Sequence, residues 1–271
     1  MLDLPKFEFA PLELGVAGPR DYTSIGAGEQ DIYTYETTQR HAYGRAAWTW
    51  DGRLFRYSRS LGSVKSGFGA ANIAAQNIGA VIPVAADVGD WEVTVTIAGT
   101  DGHAGNGVIA KDELCGGYLV CGHGETLVNN RTIMANTAVA ATGGTCRVRL
   151  DGPIAHAMTA ASSYLEIVLN PHRYLSKGSY DYQAFMGVPA VNAESGYNFW
   201  NQRRGPCWVT PGGADTTPGN TADDRTAYFV GDGSVNFGYA LTIEDGYQEA
   251  GYCIDNTAGV SALPLIFLTL E

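Results

Sequence analysis

The chain has 271 residues, an apolar fraction of 45% and a formal charge of −11 from 28 acidic against 17 basic side chains. Its length and apolar content suffice for one large or two ordinary buried cores. The acidic balance argues against a broad nucleic-acid footprint, which needs clustered lysine and arginine.

The start Met1–Leu2–Asp3–Leu4–Pro5 lacks the basic residues and apolar run of a secretory signal. No stretch reaches the roughly 20 apolar residues of a membrane helix. The expectation is a protein made in a cytoplasm, with neither membrane nor nucleic acid among its partners. Residues 1–44 mix Pro, Gly, Tyr and charges without sustained periodicity, which reads as an extended N-terminal arm. An arm of that length loses much conformational entropy unless it packs on something, so a neighbouring subunit is one host; a poorly ordered tail is the other reading.

From Arg45 to Ser58, aromatic and β-branched residues flank Asp51–Gly52, the pattern of a hairpin whose arms pair across a tight turn. Between Lys65 and Ile82, the small-residue run Gly69–Asn77 leaves room for a turn or two of helix. Trp91–Ile97 alternates apolar and polar side chains, the period of a strand with one face in a core. Similar runs recur at Gly117–Cys121, Cys146–Leu150, Tyr164–Leu169, Tyr228–Val230 and Tyr239–Ile243, and Leu263–Leu270 reads as a closing strand. Further Asp-Gly pairs at 101–102, 151–152, 232–233 and 245–246 supply the positive-φ residues of tight turns. The reading is an all-β fold. A sandwich or barrel-like β domain over 45–175 is followed by a smaller C-terminal β-barrel domain over 176–271. The boundary falls in the polar, proline-containing stretch between Asn170 and Pro189.

Few residues carry chemistry. The loop Gly99–Gly107 around His103 is glycine-rich, but it lacks the Lys-Ser/Thr ending of a phosphate loop and a following helix. Cys115, Cys121 and His123 offer zinc-type ligands at a spacing that fits no tight knuckle, with only the remote Cys146 or His156 to complete a set. Ser162, Ser163 and Ser195 stand in no nucleophile motif. Asp223–Asp224 and Glu244–Asp245 are sequence neighbours, which on a strand point to opposite faces. Five scattered cysteines cannot all pair within one chain, and reduced, mostly buried thiols are expected. The sequence therefore assigns no catalytic residue, no cofactor and no metal; the aromatic content alone keeps a carbohydrate-active enzyme as an alternative.

The constellation with positive content is Tyr197, Phe199, Trp200 and Trp208 with Arg203 and Arg204 between them. Read as a hairpin, it sends Tyr197 and Phe199 into the core, while Trp200, Arg203, Arg204 and Trp208 are candidates for meeting a partner. The competing reading puts all four rings in the core and leaves both arginines solvated.

These residues also carry a resemblance. His41–Arg45 followed by Trp50–Ser58 resembles the N-terminal signature of a family of tailed-bacteriophage head proteins, in which a G-R … D-G-R-x-F-R-Y hairpin precedes a small-residue segment. Tyr197–Val209 resembles that family's aromatic-Gly-Pro hairpin, and Gly238–Ala240 with Leu265–Leu270 its closing strands. The resemblance implies a capsid decoration, or cement, protein without enzymatic activity. Such a protein sits on the outside of the virion head, contacts the major capsid protein and acts as a homo-oligomer, with a trimer matching three-fold sites. A phage tail, fibre or receptor-binding protein shares the same β-rich style. A major capsid protein fits less well, because no long amphipathic helix pattern is present.

Overall fold

The structure, a computed structural model, describes residues 23–24, 30–72, 77–80, 82, 84–123, 127–159, 163–180, 183–212, 225–237, 247–255 and 264–270. Its elements are all strands, arranged in two curled, largely antiparallel half-barrel sheets. In chain order, β1 (Thr23–Ser24), β2 (Tyr35–Glu36), β3 (Ala46–Trp48), β4 (Leu54–Arg59) and β5 (Ala70–Asn72) belong to a 12-stranded sheet. The chain then leaves to build a 6-stranded sheet from β6 (Asn77–Ala80), β7 (Glu92–Ile97), β8 (Tyr118–His123), β9 (Leu127–Asn136), β10 (Gly144–Leu150) and β11 (Ser163–Val168). It returns to the first sheet with β12 (Leu175–Lys177), β13 (Phe185–Pro189), β14 (Asn198–Trp208), β15 (Thr226–Phe229), β16 (Val235–Phe237), β17 (Glu249–Asp255) and β18 (Leu265–Thr269).

The expected division of the chain at 175/176 is therefore not where the sheets divide. Strands from both ends of the sequence hydrogen-bond to one another, and β6–β11 form an excursion between them. The reason is β14. On one side it pairs with β4 from Asn198↔Arg59 to Arg204↔Leu54. On the other it takes β2, β13 and β18 in succession.

The excursion follows its alternation. In β7, Val93, Val95 and Ile97 are buried while Glu92, Thr94 and Thr96 lie outward or half-buried. They join Ile78, Leu119, Cys121, Ile133, Cys146, Val148, Leu150 and Ile167 in one apolar core. The sheet runs β6-β11-β8-β9-β10-β7, and its end strands β6 and β7 approach one another, so curling buries the inner face.

Several expectations change. The hairpin is present, with Ala46↔Arg56 and Trp48↔Leu54 in register and Gly52 in the left-handed region (φ +82°). The possible helix is strand where it is described. Ala70 and Ala71 are fully buried and pair with β12 and β13, Ala71 packing in the core of Phe185 and Phe229 and Ala70 with Val64, Leu175 and Phe199; residues 73–76 lie outside the described residues. Tyr239–Ile243 lies outside them as well. Tyr197–Val209 is not a hairpin: 198–208 is one strand of 11 residues. Pro206 is tolerated in it because the Leu270 amide donates to the Arg203 carbonyl. That parity turns the Pro206 nitrogen away from β18, on the side where β4's pairing has already ended at Arg204.

The arm also changes. Residues 1–29, apart from 23–24, lie outside the described residues, but 30–44 pack on the chain's own body. Gln30 and Ile32 are buried, and Ile32 joins Ala47, Phe55, Tyr57 and Trp200 in a core cluster. Gln30 Nε2 donates to the Asn198 carbonyl (2.9 Å), Tyr57 OH donates to Gln30 Oε1 (3.1 Å), and Trp200 Nε1 donates to the Gln30 carbonyl (2.9 Å). This segment satisfies buried polar atoms of Asn198, Tyr57 and Trp200.

The turn 170–174 joins the two sheets. Asn170 Nδ2 donates to the Tyr43 carbonyl (3.1 Å), the Arg59 amide donates to the His172 carbonyl (3.0 Å), and Arg173 Nη1 donates to the Glu113 carbonyl (2.8 Å). The Arg173 guanidinium also lies over the rings of Tyr43 and Tyr174, at 5.3 and 5.1 Å. Burial, aided by the Arg203 and Arg56 cations, pulls His172 down to about 3, so the ring is neutral when folded.

Truncating Trp200 to Ala opens a cavity in this cluster and is expected to cost about 3–5 kcal/mol in urea denaturation, and deleting residues 1–44 is expected to abolish the cooperative transition. A histidine in an unfolded chain titrates near about 6.5. Between that value and the depressed folded one, only the unfolded state takes up the proton, so stability falls as pH falls. The melting temperature is expected to drop on acidification from pH ~7 to ~5, and to drop less steeply in His172→Gln, as followed by calorimetry.

Candidate functional site

The densest cluster of ionisable groups surrounds Glu113, which is buried. His103 Nδ1 lies 2.7 Å from Glu113 Oε1, the Tyr174 hydroxyl donates to the same oxygen (2.8 Å), and the Ala110 amide donates to Oε2 (2.7 Å). The His103 and Tyr174 rings stack at 4.2 Å. Burial pushes the Glu113 carboxyl up, but the Ala110, Tyr174 and His103 contacts outweigh it and leave the group below the usual carboxylate range. Burial, reinforced by that carboxylate, pushes the Tyr174 phenol well up. Both Glu113 oxygens are engaged, and through Tyr174 and Arg173 the cluster fastens the 101–117 loop to the joint between the sheets. Its chemistry is that of a lock.

None of the five cysteines is in a disulfide. Cys121, Cys146 and Cys253 are buried, Cys207 is half-buried with its thiol pushed up to about 12 by burial, and Cys115 is exposed. Cys121 sits inside the 6-stranded sheet, while Cys115 Sγ lies outside it beside the Met134 carbonyl. Among the described residues, no three His, Cys, Asp or Glu side chains converge as metal ligands.

The four candidate contact residues separate. Trp200 is fully buried, its ring 5.1 Å from that of Tyr57 and 5.4 Å from that of His41, so it supports the sheet from within and is corrected from a contact residue to a core residue. Asn198–Gln202 are buried on both faces: Trp200 packs with Ile32, Ala47, Phe55 and Tyr57 on one, and Phe199 with Val64, Ala70, Leu175, Val191 and Ala193 on the other. Arg203 is half-buried and donates to the Leu270 carbonyl, which ties it to the chain's last strand. Arg204 and Trp208 are exposed.

Beyond Gln202, β14 resumes alternation. Gly205 and Cys207 turn inward to a core of Phe229, Val235, Ala250, Cys253, Ile266 and Leu268. Arg204, Pro206 and Trp208 turn outward. The register continues that outward face across two more strands: Trp208↔Leu265 and Pro206↔Phe267 on β18, then Phe267↔Tyr252 on β17. These outward β14–β18 partners form the non-hydrogen-bonded pairs, in which side chains stand closest. Tyr252 and Phe267 stack with centroids 5.3 Å apart. Trp208 is 39% exposed, Tyr252 48% and Ile254 46%. The result is a contiguous apolar sheet face with an arginine at one end.

Two glycines set this face. Gly251, on β17, would place a Cβ 1.9 Å from the Phe267 carbonyl oxygen, so only hydrogen lets β17 approach β18 this closely. Gly67 is in the left-handed region (φ +75°), and the Trp208 ring lies across it where a Cβ would come within 2.1 Å. Sequence reasoning reached Arg204 and Trp208 but missed Pro206, Tyr252 and Phe267. The sequence carries no signal for them there, since Leu265–Leu268 is a continuous apolar run whose alternating burial arises only in the fold.

Compared with known proteins, the chain matches no protein-family model, no curated protein and no solved structure.

Gly67→Ala is expected to strain the turn and displace the Trp208 ring. The signature is a red-shifted, more quenchable tryptophan emission with a modest loss of melting temperature; unchanged emission counts against the packing described.

Proposed function

We propose that the protein is a non-enzymatic viral structural protein that works by surface contact. It decorates the outside of a bacteriophage capsid and cements neighbouring major capsid subunits. The observation that carries this reading is the outward face of β14, β18 and β17, where aromatic, proline and aliphatic side chains stand exposed beside Arg204 on a sheet packed from behind. Aromatic residues and arginine anchor protein interfaces, and a rigid sheet presents them with little ordering cost on binding.

A second support is spatial. The two segments that resemble phage head proteins, Trp50–Ser58 and Tyr197–Val209, contribute the neighbouring strands β4 and β14, which are far apart in sequence but paired in the fold. In this reading the two curled sheets act as compact barrel-like bodies, the larger of them bearing the contact face. The protein works as a homo-oligomer, a trimer at three-fold sites of the shell being the arrangement that symmetry favours.

Co-sedimentation with cognate expanded heads lacking the protein tests this. Full-length protein is expected to bind saturably, at a fixed number of copies per capsomer, and Trp208→Ala to lower the affinity by about tenfold or more with its melting temperature retained. Absence of binding overturns the reading. Attachment to tails instead of heads reassigns the protein to a tail or fibre component, and turnover on a glycan panel reassigns it to a carbohydrate-active enzyme.

A further inference from the structure

The chain returns from the 6-stranded sheet to the 12-stranded one through the turn 170–174. The apolar cores on its two sides are separate clusters. Leu169 and Tyr174 pack into the core of the smaller sheet, with Leu61 against it from the other side, and Leu175 packs into a core of the larger sheet. The change of core thus falls between Tyr174 and Leu175. Tyr174 stands there in the left-handed region (φ +67°), a conformation that a side chain of this size keeps only while its surroundings hold it.

The holding contacts are built around His172. Its amide donates to Asn170 Oδ1 (2.9 Å) and its carbonyl accepts from the Arg59 amide (3.0 Å). Its ring lies against Gly44, where a Cβ would come within 3.1 Å of Cδ2, and Arg56 Nη1 donates to the carbonyl of the same glycine (2.9 Å). The ring is buried, and Nδ1 has no hydrogen-bond partner among the described residues. The elements packed against the turn bring Arg56 and Arg59 from β4, Arg203 from β14, Tyr43 from the segment before β3 and Glu113 from the 101–117 loop, with Arg173 on the turn itself. The charges that act on the His172 ring are those of Arg203 and Arg56, both cationic, while the Glu113 carboxylate is taken up by Ala110, Tyr174 and His103. An imidazolium carries hydrogen on both ring nitrogens, so the charged ring would hold an Nδ1–H buried without an acceptor beside two like charges. The site accepts the neutral ring and rejects the charged one.

We propose that the turn 170–174 is an acid-released hinge: when His172 takes up a proton from solvent, the turn leaves its site on the larger sheet and frees the two sheets to move apart, each keeping its own core. Release gives up the Asn170 bond to the Tyr43 carbonyl, the Arg59 bond to the His172 carbonyl and the packing of the ring on Gly44. The contacts of Arg173 and Tyr174 with Glu113 stay with the smaller sheet, and the strained backbone at Tyr174 is free to relax. The open form differs from the unfolded chain, because both cores persist in it. The inference does not rest on the reading of the protein as a capsid component.

Amide hydrogen exchange of the full chain, followed by NMR and corrected for the intrinsic effect of pH, tests it. With the ring titrating near about 6.5 when released and about 3 in its site, acidification from pH ~7 to ~5 is expected to raise the opening equilibrium about 25-fold. The Arg59 amide, which donates across the joint, is expected to exchange faster by that factor, while the amides of Val95, Val148 and Trp200 inside the two sheets keep their protection. His172→Gln and His172→Asn, both uncharged at either pH, are expected to lose the acid response. An Arg59 amide whose corrected exchange is unchanged overturns the proposal. So does protection lost at Arg59 and inside the sheets in step, which is global unfolding, or an acid response retained in the two uncharged variants.

Discussion

The register of β14 is the constraint on which the larger sheet depends. One strand of 11 residues receives β4 along one edge and β2, β13 and β18 along the other, so its backbone groups are satisfied by strands drawn from both ends of the sequence. Burying such a strand is favourable only if those partners arrive together, since an unpaired buried amide or carbonyl is costly. Arg203 begins the change along β14: before it both faces are covered, and after it one face is free.

That change gives the strand two jobs. Its first half is a core element, with Trp200 packed on Tyr57 and its indole nitrogen donating to the Gln30 carbonyl. Its second half is one row of an exposed face. The same sheet therefore anchors itself and leaves a row of side chains exposed, and the tight approach of β17 at Gly251 keeps those strands together. The lock at Glu113 and the joint at Asn170–Tyr174 act elsewhere, holding the 6-stranded sheet to the body.

Much of the strand content was legible because it is local. Trp91–Ile97, Cys146–Leu150 and the hairpin around Asp51–Gly52 announce themselves through alternation and turn residues, which depend on the covalent chain alone. Ala70–Asn72 did not, since small residues are compatible with a helical turn and become strand only through pairing with β12 and β13. Residues 30–44 were misread for a related reason: a segment without periodicity can still be core when its polar groups meet specific distant partners.

By itself the sequence determined an all-β chain with acidic charge, and it named Trp200, Arg203, Arg204 and Trp208 together as candidates for a partner contact. Only the tertiary structure decided that Trp200 is interior, that Pro206, Tyr252 and Phe267 continue the exposed face, and that the two sheets are nested in sequence instead of consecutive. The physical reason is that facing direction along a strand follows from period two, whereas which strand lies alongside, and what covers each face, follows from hydrogen bonds between residues more than a hundred positions apart.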